Sequence, residues 1–430
     1  MKIGNKTAGR LGMILLFSIV TLTSVAAPSW TGTTGTENGW PLVNNPMQPV
    51  EGDQTIAAVE IWRLGHEDDE QEMIFGLIGD GLVDEAENTY LLDTILSTIY
   101  KVGPDGTVLE NLGQEGDGPG ELRNTMNMVF MPGGNLGVHE MMPGGIAILG
   151  RDGEPRPSFS FGEANSGAMH HITRMDSDKS GLVLGKSSTE FGSDQTVTTA
   201  HSLARYAADG TVLFTLFQKN EKQSGGRITL GGDGNDFTRY WSLGPNGQVV
   251  VFQENQEYKL EVFDSSGNPG MIIRREYKPV RRSDKEIEQD EREQEEMKQR
   301  FGGMDFPPVA QMARHITDAF ARPNGDLWVQ NSQGDHDCPE NSIGYFDVFN
   351  PDGHYVKRIR IEADYDPLRD NFQLLGNHLL VFKEAQKAPD RTMSSGGGNM
   401  MMIMTSGSSS DDEDDDEEPR PYEVVFYRLP

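Results

Sequence analysis

The sequence predicts an all-β fold, a closed six-bladed propeller of four-stranded antiparallel blades. Three observations predict it. A strand–turn–strand unit recurs along the chain. Glycine and proline, 50 and 23 of 430 residues, supply many turns. The two ends carry complementary fragments of one further unit.

The repeat is clearest at the turn between the third and fourth strands of each unit. Residues 99–109 read IYKVGPDGTVL, 146–153 IAILGRDG, 203–213 LARYAADGTVL, 260–267 LEVFDSSG and 345–356 YFDVFNPDGHYV. Each sets alternating apolar residues before a D-G or S-G turn, the hairpin signal. An earlier turn repeats as MPGG at 131–134, GPNG at 244–247 and RPNG at 322–325. Two first strands begin with the same tripeptide, His171-Ile172-Thr173 and His315-Ile316-Thr317.

The units span about residues 73–113, 125–162, 170–218, 237–277 and 314–361. A sixth has three strands, at 371–375, 378–382 and 422–429. Residues 55–64 (TIAAVEIWRL) form a strand with no unit of its own. Adding that strand to the last unit closes the ring, three strands plus one, and leaves no exposed sheet edge.

The flanks are read separately. Lys2, Lys6 and Arg10 precede a ten-residue apolar run at 11–20, and residues 25–27 (VAA) form a small-residue cleavage pattern. Residues 1–27 are therefore expected as a signal peptide cut near Ala27. The run is too short for a membrane span. Residues 28–53 read as a flexible leader, and 54–430 as the propeller. Two insertions interrupt it. Ser283-Asp284-Lys285-Glu286 is a capping box, so 283–301 is expected as a helix, polar nearly all round and hence on the surface or projecting. Residues 393–420 combine Gly, Ser, Met and eight consecutive acids, 411–418, and are expected as a disordered loop.

The net charge of −30 argues against a nucleic-acid or polybasic membrane-surface protein. A single cysteine, Cys338, excludes an intramolecular disulfide framework.

Residues 111–122 (NLGQEGDGPGEL) resemble the linker between blades in NHL-type six-bladed propellers, where G-x-x-G-x-G-P-G-E-F/L leads into the next inner strand. Residues 90–93 (YLLD) are similar to that family's I/L-Y-V-x-D strand. The resemblance covers about residues 54–430 and is closest at this first linker. It implies the propeller fold. Propellers include binding scaffolds, sensors and unrelated enzymes, so it implies no single activity.

No nucleophile elbow, zinc-protease, P-loop or EF-hand motif is found. Asp335-His336-Asp337-Cys338-Pro339-Glu340 offers metal-ligating side chains, but with no second spaced half-site it reads as a polar hairpin loop. The rim of the central funnel is the more principled place for a site. Arg123, His171, Arg239 and His315 each stand at the start of a first strand. Together they are expected to form an axial pocket for an anionic ligand. The resulting expectation is a secreted or periplasmic, monomeric, non-catalytic scaffold without cofactor. It would recognise a protein, peptide, glycan or small anionic ligand. The alternative is a secreted propeller enzyme, a lyase or hydrolase, with an axial, metal-assisted site on His171 and His315.

Overall fold

A computed structural model describes residues 29–66, 71, 73–141, 144–161, 168–194, 196–224, 228–229, 237–300, 304–336, 338–386 and 422–430. The expected signal peptide and the loop at 393–420 lie outside the described residues.

Six four-stranded antiparallel blades make up the ring, and in each the strands run in order from the axis outward. Blade 1 is Ile78–Val83, Thr89–Asp93, Thr98–Val102 and Val108–Leu112. Blade 2 is Thr125–Phe130, Leu136–Glu140, Gly145–Leu149 and Pro155–Ser160. Blade 3 is Met169–Asp178, Gly181–Phe191, Thr196–Tyr206 and Val212–Ser224, and has the longest strands. Blade 4 is Trp241–Leu243, Val249–Val251, Lys259–Phe263 and Pro269–Arg275. Blade 5 is Ile316–Ala321, Leu327–Asn331, Ser342–Phe349 and Tyr355–Glu362. Blade 6 is Asn371–Leu375, His378–Phe382, Val424–Arg428 and, from the other end of the chain, Val59–Leu64.

One turn geometry recurs between third and fourth strands. The Gly103 N–H donates to Thr107 O at 2.8 Å, and the same bond joins Ala207 to Thr211 and Asn350 to His354. Gly106 and Gly353 have φ of 86° and 77°, where a side chain is disfavoured, which is why the D-G pair repeats. The YLLD motif acts through its acid. The Asp93 carboxylate accepts the backbone N–H groups of Gly76, Leu77, Ile95 and Leu96. Likewise Glu121 of the first linker accepts the Gly118 N–H at 2.7 Å and the Gln114 amide at 2.9 Å, while Leu122 is fully buried.

The core is divided into six apolar clusters, one at each blade-to-blade interface. The cluster between blades 6 and 1 holds Trp62 and Phe426 on one side and Leu91 and Tyr100 on the other.

Two expectations need correction. The segment expected as a flexible leader, 28–53, carries strands among its described residues, 29–53. Thr33–Glu37 and Trp40–Asn45 form a hairpin whose second strand adds in parallel to the outer edge of blade 4. Asn45 anchors it. Its side chain accepts from Trp30 Nε1 at 2.8 Å and Tyr355 N–H at 2.7 Å, and donates to the Arg274 and Gly353 carbonyls. The expected strand at 55–64 is two strands. Asp53–Ala57 adds in parallel to blade 5, and only Val59–Leu64 belongs to blade 6. Backbone pairing at these edges, not side-chain alternation, makes the strands, so composition does not reveal them.

The helix Asp284–Arg300 is capped as its sequence requires. The Ser283 N–H donates to Glu286 Oε2 at 2.7 Å, and the Glu286 N–H donates to Ser283 Oγ at 3.2 Å. It does not project freely, because Ile287 and Gln289 are buried and Arg282 pairs with Asp290. No helix among the described residues is long and apolar enough to cross a membrane.

Candidate functional site: the axis and the blade 4–5 cleft

Each of the four predicted rim residues has its own surroundings. Arg123 pairs with Asp117 of the first linker at 2.7 Å, and both are exposed. His171 is exposed, its ring centroid 6.3 Å from that of the buried His139. Burial, helped by the neighbouring His171, pushes His139 down to about 3. Arg239 is exposed in the turn before the inner strand of blade 4. His315 is buried against the Tyr277 ring at 4.5 Å and lines a cleft that none of the other three lines.

The axis itself is polar a few residues deeper. A register shift precedes Asp80, Arg174 and Asp318 on the inner strands of blades 1, 3 and 5. Asn127 and Gln373 are the third residues of the inner strands of blades 2 and 6. The charged side chains among these, and Gln373, are spent on neighbouring blades. Asp80 accepts Gln373 Nε2 at 2.7 Å and the Met128 N–H at 2.8 Å. Gln373 in turn accepts the Gly81 N–H at 2.9 Å. Arg174 pairs with Asp318 at 2.8 Å, reaching past blade 4, with its guanidinium 5.8 Å from the Trp241 ring. The inner strand of blade 4 has only three residues, which leaves room for that reach.

Burial in this channel pushes Asp80 up to about 6, against its hydrogen bonds from Met128, Gln373 and Gly81. Asp176 is likewise pushed up to about 6 by burial, with the carboxylates of Asp80 and Asp178 adding to it. Among the described residues, no group of three or more His, Cys, Asp or Glu side chains is placed to share a metal ion. The expected polar hairpin loop at 335–340 is in part helical: Asp335 and His336 end a short helix, Ser332–His336. Asp335 accepts Thr317 Oγ1 and Gln330 Nε2, and the Cys338 thiol donates to the Ser342 carbonyl at 3.0 Å.

The cleft at His315 lies between blade 4, the N-terminal hairpin and the start of blade 5. Below it, Asp347 is fully buried and accepts from Tyr258 Oη, Tyr355 Oη, Asn331 Nδ2 and the Arg275 guanidinium.

No family model and no curated protein matches the chain. Solved structures do. A member of the DUF4221 family from Bacteroides vulgatus is 10% identical, over 87% of this chain and 97% of that one, with a TM-score of 0.46. A calcium-binding regucalcin from Agrobacterium tumefaciens is 12% identical, over 88% and 95%, with a TM-score of 0.39. A virginiamycin B lyase from Staphylococcus aureus is 10% identical, over 75% and 96%, with a TM-score of 0.38. The likeness is one of fold.

The axial residues had a sequence signal one step beyond the strand starts. The shared His-Ile-Thr tripeptides are followed at once by Arg174 and Asp318, the two partners of the cross-channel ion pair. Ile78-Gly79-Asp80 follows the same pattern of Ile, one residue, then a charge. The cleft had no such signal, because its walls come from segments over 200 residues apart.

Proposed function

We propose that this protein is an exported, non-catalytic binding scaffold. The observation that carries this reading is the pairing at the axis. Asp80 with Gln373, and Arg174 with Asp318, use their polar atoms to tie blades together. A catalytic constellation instead presents a nucleophile, base or metal position to a bound substrate. Export rests on residues 1–27 of the sequence.

The test is turnover. The purified chain is offered ester, lactone and glycosidic substrates with and without Mg²⁺ or Ca²⁺. No turnover is expected. Turnover abolished by Asp80→Asn would overturn the scaffold reading in favour of an axial lyase or hydrolase.

Anion recognition at the rim, expected of Arg123, His171, Arg239 and His315, remains part of the proposal for the first three, since His315 is buried and lines a separate cleft. Its support is that Arg239 is exposed and that the Arg123–Asp117 pair is exposed enough to exchange for a ligand. Succinate and inorganic phosphate are suitable probes by titration calorimetry. Arg239→Ala is expected to weaken binding by about tenfold, equivalent to ~1.4 kcal/mol.

A further inference from the structure

The cleft of about 520 Å³ at blades 4 and 5 falls in the size range of small-molecule sites. Five stretches from three parts of the fold wall it: residues 31–33 and 44–46 at the hairpin, residues 256–258 and 274–277 of blade 4, and His315. The hairpin wall is held in place by the four hydrogen bonds of Asn45 and by Trp30, stacked on His354 at 3.9 Å.

The wall chemistry selects among ligands. Both guanidinium groups are already engaged, Arg274 with Glu37 at 2.9 Å and Glu257 at 2.7 Å, and Arg275 with Asp347. Both tyrosine hydroxyls are bonded elsewhere. Tyr258 Oη donates to Asp347, and Tyr277 Oη meets Ser332 Oγ at 2.8 Å and accepts the Gln333 N–H at 3.0 Å. Tyr258 is buried beneath the Arg275 guanidinium, so the half-buried Tyr277 is the tyrosine that offers the cleft ring surface. Glu257 and Glu276 are exposed, and Glu257 is already paired with Arg274. An incoming anion meets carboxylates and engaged arginines. An incoming cation finds Glu257 already occupied by Arg274.

His315 narrows the choice further. Its side chain is 5% exposed, and neither ring nitrogen has a hydrogen-bond partner. Burial lowers its pKa, so the ring is neutral, with one donor and one acceptor. Leaving both unmatched is costly. A hydroxyl both gives and takes a hydrogen bond, and neighbouring hydroxyls also suit the two carboxylates. A flat apolar ring face suits Tyr277.

We propose that this cleft binds a neutral saccharide, with His315 hydrogen-bonded to its hydroxyls and Glu257 and Glu276 accepting others. The proposal rests on the scaffold reading and names a ligand class for it. The two fail differently, the scaffold reading through turnover and this one through the binding data below.

The test titrates the full chain with maltose, cellobiose and N,N′-diacetylchitobiose, by calorimetry and saturation-transfer NMR. At least one is expected to bind, and His315→Ala to weaken it at least tenfold. Glu276→Gln, at an exposed position, keeps the test open if His315→Ala does not fold, and is expected to weaken binding about threefold. The proposal is overturned by no binding at millimolar sugar, by binding that neither variant changes, or by sugar binding that succinate displaces.

Discussion

Asp176 shows how burial, with neighbouring carboxylates, makes a side chain pH-sensitive. An aspartate in an unfolded chain has a pKa of about 3.9, whereas burial and the nearby carboxylate of Asp80 put this one at about 6. The folded state therefore holds the proton more tightly than the unfolded state. The stability linked to this group is fully present below about pH 4 and is lost as pH rises through 6. Asp176→Asn is expected to stabilise the protein by roughly 1–2 kcal/mol at pH 7.5 and by little at pH 4. Urea melts at the two pH values check this, and an equal effect at both would contradict it. Asn45 is the opposite kind of residue, polar and buried but fully matched by four hydrogen bonds. Asn45→Ala strands the Tyr355 N–H and two carbonyls, an expected loss of about 2–4 kcal/mol in the same melts.

Single strands carry the ring's integrity unequally. Val59–Leu64 supplies the outer strand of blade 6 and places Trp62 on Phe426 at 5.0 Å in the cluster shared with blade 1. Deleting it removes a ladder, a large buried side chain and part of one blade interface. A fall of several kcal/mol is expected, visible as a lower thermal midpoint. The hairpin Thr33–Glu37 and Trp40–Asn45 instead caps a blade that is already four-stranded. Deleting residues 29–46 is expected to leave a folded propeller with a smaller fall in midpoint and no blade 4–5 cleft. Circular dichroism with the saccharide titration separates the two deletions. The helix Asp284–Arg300 bears eight acids and four bases, yet its buried Ile287 and Gln289 lay it on the body.

The whole molecule is a ring of six similar interfaces carrying a net charge of −30. Like charges at that density oppose the compact state, and salt screens them within roughly 10 Å at 0.1 M. Raising NaCl from about 20 mM to about 500 mM is therefore expected to raise the thermal midpoint by a few degrees. Scanning calorimetry at the two salt concentrations checks it. A midpoint that falls with salt would show that local pairs such as Arg174–Asp318 outweigh the general repulsion.

The blades are legible in the chain. Alternating apolar residues before D-G turns dictate hairpins locally, and the same turn recurs five times, so blade number and strand order followed from the chain alone. Ser283 and Glu286 likewise announced their helix, because a cap is made within four residues. Features that depend on distant segments meeting emerge only when the chain is folded. Residues 33–45 carry no strand pattern and pair only because the edge of blade 4 offers free backbone groups. Charge at the strand starts singled out Arg123, His171, Arg239 and His315. The register shifts on the inner strands instead carry Asp80, Arg174 and Asp318 into the channel. His315 was legible as a strand-start histidine, but the cleft around it is built from three remote pieces of chain, and no local pattern encodes that.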